Sequence, residues 1–272
     1  MLERTFIHIP RIGEKRETAL WARGYTSWDR FREAYPPGAF REHAVSYLDR
    51  DLAARSLPRA QAWRLFPEFA GRVLYLDIET TGLHPGPDSV TCIGTYDGRT
   101  VRAFVAGADI DEFEHTLNRA ELLVTYNGAC FDLPFLKTAF PRLDLDRPAH
   151  IDLMYPLRKL GFRGGLKGVE RQLCIRRDES IAGADGCTAV LLWRAHERGN
   201  PNAIETLVRY CLEDVVNLEP LMIEVFNRFV GTYPLDVPGL PCPPRPKIAA
   251  QADADLVRRL TAHREPPPGA VT

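Results

Sequence analysis

The sequence predicts an α/β fold, a five-stranded mixed sheet flanked by helices, with a small N-terminal helical module ahead of it. Three observations carry this prediction. From about residue 71 to 231, short apolar runs of strand length alternate with stretches of helical periodicity. The first three runs follow one another closely, two of them joined by the hairpin signal Asp97-Gly98, whereas later runs are separated by helices. Three antiparallel strands followed by βαβ crossovers satisfy that order. Before residue 70, Leu20, Trp21, Trp28, Phe31, Val45, Leu48 and Leu52 recur at helical spacing.

In order along the chain, residues 1–70 form the helical module and residues 71–231 the sheet domain. Residues 232–272 form a Pro-rich, mostly irregular tail, with one short helix near Ala254 to Ala262. In the middle region, Arg72 to Asp77 reads as a buried strand, and Ser89 to Thr95 and Thr100 to Val105 as two more. A helix at about 110–118 precedes a strand from Glu121 to Thr125. Another helix runs from about Phe131 to Phe140, and a short strand ends near Asp152. Helices follow, the last from about Asn202 to Phe229, with Pro201 suited to its first turn. No internal repeat is visible.

Composition narrows the function classes. A chain of 272 residues with 45% apolar residues can bury an ordinary core, which argues against global disorder. With a formal net charge of −1 it is no polycation, so nucleic-acid binding would rest on local basic patches. Six cysteines without a Cys-x-x-Cys pair disfavour a structural zinc site or a disulfide framework and suit reduced thiols in a cytoplasmic protein. No signal sequence opens the chain, and no apolar run approaches the roughly 20 residues that cross a bilayer.

Three segments carry acids that a metal-dependent hydrolase needs. In Leu76-Asp77-Ile78-Glu79, the acids sit two apart on a strand and leave the same face, while Leu76 and Ile78 point into the core. Two adjacent like charges on a strand repel unless a cation lies between them. In Asn127-Gly128-Ala129-Cys130-Phe131-Asp132, a strand ends, Gly128 permits a turn, and Asp132 opens a helix; alone, Asp132 reads equally as a helix cap. In the last helix, Tyr210 and Asp214 lie four apart on one face; alone, they read as a surface pair. Two divalent cations about 4 Å apart, held by such carboxylates, activate water and stabilise a leaving oxygen.

Taken in this order, Asp-x-Glu-Thr-Thr-Gly-Leu, Asn-x4-Asp and Tyr-x3-Asp resemble the three motifs of DEDDy-type 3′→5′ exonucleases in the ribonuclease H-like superfamily. The resemblance spans about residues 72 to 220. It implies that Asp77, Glu79, Asp132 and Asp214 hold two Mg²⁺ or Mn²⁺ ions, and that Tyr210 orients the attacking water or helps to deprotonate it, orientation being the role that suits a tyrosine of ordinary pKa. It further places Thr81, Leu83, Asn127 and Phe131 against the terminal nucleotide. The stretch His150-Ile151-Asp152-Leu153, then Gly164-Gly165-Leu166-Lys167-Gly168-Val169-Glu170, is similar to a bacterial group within that superfamily. There Asp152 either supports the acids or caps a helix. Arg158, Lys159, Arg163 and Lys167 line either a phosphate path or a solvated loop.

The N-terminal stretch His8 to Lys15 resembles a helix–hairpin–helix motif, with Gly13 and Lys15 where such a hairpin meets a phosphate. It departs from the pattern at Arg11, which stands where the first hairpin glycine is usual. The implied substrate is single-stranded nucleic acid, DNA rather than RNA, in repair alongside a helicase, with no membrane partner. The rival readings are an RNA-processing exonuclease, an endonuclease on the same fold, and a non-catalytic nucleic-acid-binding module.

Overall fold

The computed structural model describes residues 1–262. Its sheet has strands β1 (Val73–Thr80), β2 (Val90–Tyr96), β3 (Val101–Val105), β4 (Leu122–Thr125) and β5 (Ala149–Asp152), in spatial order β3-β2-β1-β4-β5. β1 pairs antiparallel with β2, and β2 with β3; β4 runs parallel to both β1 and β5. This is the mixed sheet that the run spacing predicts, laid out as in an RNase H-like fold.

Side-chain alternation along β1 divides the core in two. Leu74, Leu76 and Ile78 face a layer holding α5 (Phe113–Leu117) and α6 (Asp132–Ala139), where Phe113, Phe135 and Leu136 are buried. Val73 and Tyr75 face the other layer, dominated by α10 (Ala203–Thr232), with Val215, Leu218 and Met222 beneath the sheet. On that second face, apolar residues give way to Asp77 and then Glu79 toward the end of the strand.

Helices α1 (Glu14–Ala22), α2 (Trp28–Ala34), α3 (Ala39–Val45) and α4 (Arg50–Ser56) form the N-terminal region, followed by a 3-10 segment, Arg59–Phe69. Between β5 and α10 lie α7 (Met154–Lys159), α8 (Gly165–Gln172) and α9 (Gly186–Glu197). α10 starts two residues after Pro201, which lies in the turn ahead of the Asn202 cap and not in the first helical turn. The short helix expected in the tail appears as α11 (Ala254–Ala262). Pro266 to Pro268, also part of the expected tail, lie outside the described residues. No helix among the described residues is long and apolar enough to cross a membrane.

Candidate active site

The site lies where β1, the β4–α6 turn and α10 meet. β1 supplies Asp77 and Glu79 on one face. Their register partners on β2 are Gly94 and Cys92, so both carboxylates look toward α10. α10 can lie close because Gly94 has no side chain; a Cβ there would sit 2.8 Å from both Cys211 Sγ and Val215 Cγ2. The close approach brings Tyr210 and Asp214, one helical turn apart, over β1.

Asp132 is the first residue of α6, yet it does not serve as its cap. The cap position is Phe131, which makes no side-chain cap bond. The Asp132 carboxylate reaches across to β1 and accepts the Ile78 N–H at 3.1 Å. Ile78 stands between Asp77 and Glu79, so this bond ties the third acid to the first two. The preceding turn is clasped by Asp152, whose carboxylate accepts the Asn127 N–H at 2.7 Å, the Ala129 N–H at 3.1 Å and the Met154 N–H at 3.1 Å. Asp152, one residue ahead of the Leu153 cap, therefore both accepts the first N–H of α7 and fixes the loop that presents Asp132. Asn127 takes a left-handed backbone (φ 65°), a conformation that Asn tolerates better than most residues. A Cβ on Gly128 would fall 2.3 Å from Thr125 Oγ1, so only glycine fits this turn.

Asp77, Glu79, Thr80, Gly82, Leu83, Tyr126, Asn127, Phe131, Asp132, Tyr210 and Asp214 line one cleft of about 190 Å³, with Gly186 and Val190 from α9 opposite. Leu83 is 75% exposed at its mouth. Phe131 packs on Phe135 at 4.9 Å between ring centroids. Thr81 accepts the Ser89 N–H at 3.0 Å, which closes the loop after β1; its own side chain is not among those lining the cleft.

Burial and mutual repulsion raise the carboxyl groups of the cleft. Burial, then the charges of Asp132, Asp214 and Glu79, hold the Asp77 carboxyl well above the usual carboxylate range. Glu79 is raised likewise by burial and then by Asp214, and burial pushes Asp132 up to about 7. Burial raises the Tyr210 phenol above its ordinary value, which makes it a poor base. Lys167 lies against it: Nζ donates to the Tyr210 oxygen at 2.5 Å and to the Ala184 carbonyl at 2.5 Å, and sits 4.2 Å from the phenol ring centroid.

Clustered carboxylates that resist ionising together are a donor set that a divalent cation relieves, and hard oxygen ligands suit Mg²⁺ or Mn²⁺. Asp77, Glu79 and Cys211 present ligand atoms within 4.8 Å of one another. The thiol is the least suited of the three: hydrogen bonding to Cys92 and burial raise its pKa well above the ordinary value, keeping it neutral.

Other expected residues lie elsewhere. Gly13 and Lys15 belong to the N-terminal region and do not line the cleft. Gly13 caps α1, and Arg11 adopts the left-handed conformation (φ 69°) usual for a hairpin glycine. Exposed Lys15, Arg16 and Arg23 border a separate hollow with Tyr35 and Phe40. Of the four cations expected near Gly164 and Gly165, three are engaged within the protein: Lys159 pairs with Glu14, Arg163 donates to the Arg158 and Phe162 carbonyls, and Lys167 holds Tyr210, while Arg158 is exposed. One residue bordering the acids escaped the sequence reading. Arg177, in the loop after α8, pairs with Asp214 and Glu170, and no local pattern around it signals this.

The RNase H superfamily profile matches residues 74–226, which contain β1 to β5 except Val73, and most of α10. No curated protein matches the chain. Among solved structures, the family B DNA polymerase from the hyperthermophilic archaeon Pyrobaculum calidifontis is 23% identical, with a TM-score of 0.43, over 53% of this chain and 23% of its own. A nuclease in its apo form is 21% identical, with a TM-score of 0.43, over 61% of this chain and 76% of its own. The EXO domain of Aedes aegypti Nibbler is 11% identical, with a TM-score of 0.43, over 73% of this chain and 90% of its own.

Proposed function

The chain belongs to the RNase H superfamily, and on that premise we propose that it is a metal-dependent 3′→5′ exonuclease acting on single-stranded nucleic acid. The observation that carries this reading is the convergence of Asp77, Glu79, Asp132 and Asp214, from three separate elements, on one cleft. Structural carboxylates are normally paired or solvated; here three are held above their usual range.

Asp77, Glu79, Asp132 and Asp214 would hold two divalent cations, Mg²⁺ or Mn²⁺. When bound, these would lower the pKa of an attacking water and stabilise the leaving oxygen. The protein's own groups do the positioning. Lys167 donates to the Tyr210 oxygen, so the phenol proton is left to hold a water or phosphate oxygen in the cleft. Tyr210 orients and does not abstract. Leu83 at the mouth and Phe131 inside offer apolar faces to the terminal base and sugar, and Asn127 a polar edge. The hairpin ending at Gly13, with Lys15, would hold a phosphate farther along the strand. DNA is favoured over RNA on that hairpin, which fits repair beside a helicase that supplies single strands.

The test uses 5′-labelled single-stranded DNA and RNA of one sequence with Mg²⁺ or Mn²⁺. The wild type should give a ladder shortening from the 3′ end, and should leave a closed single-stranded circle intact. Asp214→Asn should slow cleavage by about a hundredfold or more. Intact substrate in every wild-type lane would defeat the reading, and a cut circle would convert it to an endonuclease. Cleavage that requires 2′-hydroxyls would replace repair by RNA processing.

A further inference from the structure

Arg177 stands at the edge of the carboxylate cluster, on the loop between α8 and the 3-10 segment Glu179–Ile181. Two acids hold it. Glu170 of α8, 1% exposed, accepts from Nε and, at 3.0 Å, from Nη2; Nη2 also donates to Asp214. Glu170 is itself steadied by the Asn217 amide at 2.8 Å. The third nitrogen, Nη1, is buried and finds no acceptor among the described residues.

A guanidinium keeps its charge at every accessible pH. In the cation-free protein, Arg177 is thus a fixed counter-charge on Asp214, which the reading above makes a metal ligand. A divalent cation at Asp214 and the guanidinium compete for one carboxylate. With Asp214 engaged elsewhere, Arg177 stays clamped by Glu170 through Nε and one Nη2 hydrogen, while the other Nη2 hydrogen and Nη1 lack an acceptor among the described residues. Buried donors without acceptors are unfavourable. The group that matches two guanidinium N–H donors is a phosphate presenting two oxygens.

We propose that Arg177 is a further catalytic residue: it neutralises Asp214 in the cation-free protein and, with Asp214 coordinating a cation, donates to non-bridging oxygens of the scissile phosphate. This rests on the exonuclease reading. It makes Arg177 a competitor of the metal and a helper of the reaction, two roles with opposite signs on removal.

The experiment measures Mn²⁺ affinity directly, from the spin-resonance signal of the free ion, and separately kcat on a 5′-labelled single strand at saturating Mn²⁺. Arg177→Gln should bind Mn²⁺ roughly tenfold more tightly while its kcat falls by about a hundredfold. The double variant Glu170→Gln with Arg177→Gln removes the buried Glu170 charge that the single variant strands, and should show the same opposite changes with a melting temperature closer to wild type than that of Arg177→Gln alone. A purely structural role would weaken metal binding and turnover together. In folded variants, unchanged or weaker Mn²⁺ binding, or undiminished kcat, overturns the proposal alone. A wild-type chain that neither binds Mn²⁺ nor cuts overturns the exonuclease reading and this inference with it.

Discussion

Gly94 shows how much one missing side chain sets at the candidate site. It pairs with Asp77 across the β1–β2 ladder and lies under Cys211 and Val215 of α10. Alanine there would need space that two side chains already fill at 2.8 Å, so α10 must lift from the sheet. Gly94→Ala is expected to cost about 1–3 kcal/mol in stability and to weaken Mn²⁺ binding, because Asp214 lies one turn beyond Cys211. Melting and metal titration check this; unchanged values for both would mean that α10 does not set the site. Such a residue is illegible in sequence, since the contact joins elements more than a hundred positions apart. Asp77 and Glu79, by contrast, were legible because a strand's period of two is a local rule. His8 carries a second prediction at this scale. Burial lowers its pKa, Nε2 meets the Tyr47 carbonyl at 2.8 Å, and Nδ1 is buried without a partner among the described residues. The folded chain therefore resists a proton that the unfolded chain accepts near pH 6.5. This contribution is present above about 6.5 and is lost as pH falls toward the lower folded value. The melting temperature should drop less between about pH 7.5 and 5.5 in His8→Gln than in wild type. Equal drops would show that His8 is not the titrating group.

The elements were legible where their patterning is local and obscure where distant side chains fix them. Strand positions follow from apolar runs, and α11 lies where a short tail helix is expected, its start fixed by the Asp253 carboxylate, which accepts the Leu256 N–H at 2.9 Å. The irregular stretch before α11 gave no local sign of being anchored, yet it is pinned along α10. Asn227 exchanges hydrogen bonds with the Leu240 backbone, at 2.7 and 2.9 Å. Arg245 meets Glu213 at 2.6 Å and also donates to Asn217 and the Arg176 carbonyl. Leu256 and Val257 of α11 share an apolar cluster with Tyr210. The segment after α10 therefore presses on the same helix face that carries Tyr210 and Asp214. Arg245→Met removes one of the donors to Glu213, which is fully buried and keeps Arg209 as a partner. The expected loss is about 1–2 kcal/mol, with faster proteolysis between residues 240 and 253. Wild-type stability and protease resistance in that variant would mean that the anchoring lies with Asn227 and α11 alone.

For the molecule as a whole, the question is whether the N-terminal helices and the sheet form one cooperative unit. One apolar cluster runs without a break from Phe6, Trp21 and Phe31 through Trp63 to Val124, Val215 and Phe229. Trp63 stacks on Phe229 at 4.9 Å, and Trp21 meets Tyr233 at 4.9 Å. At this junction the Arg64 guanidinium is fully buried and makes a two-pronged pair with Glu17, both bonds 2.8 Å, while donating to the Tyr233 hydroxyl at 3.0 Å. Glu17 also accepts the Phe6 and Ile7 N–H groups at 2.7 and 3.0 Å. The ion pair thus joins α1, the 3-10 segment and the residue following α10. The composition boundary near residue 70 is visible in sequence; this junction is not, because its members lie at positions 17, 64 and 233. Removing one partner strands a buried charge, so Glu17→Gln and Arg64→Met should each cost about 3–5 kcal/mol, and the double variant less than their sum. If the junction couples the two regions, calorimetry should give a single transition in wild type and in each variant, shifted as a whole and coincident with loss of Mn²⁺ binding. A separate early transition of the N-terminal helices, with Mn²⁺ binding retained above it, would show that residues 1–70 fold and melt independently of the sheet.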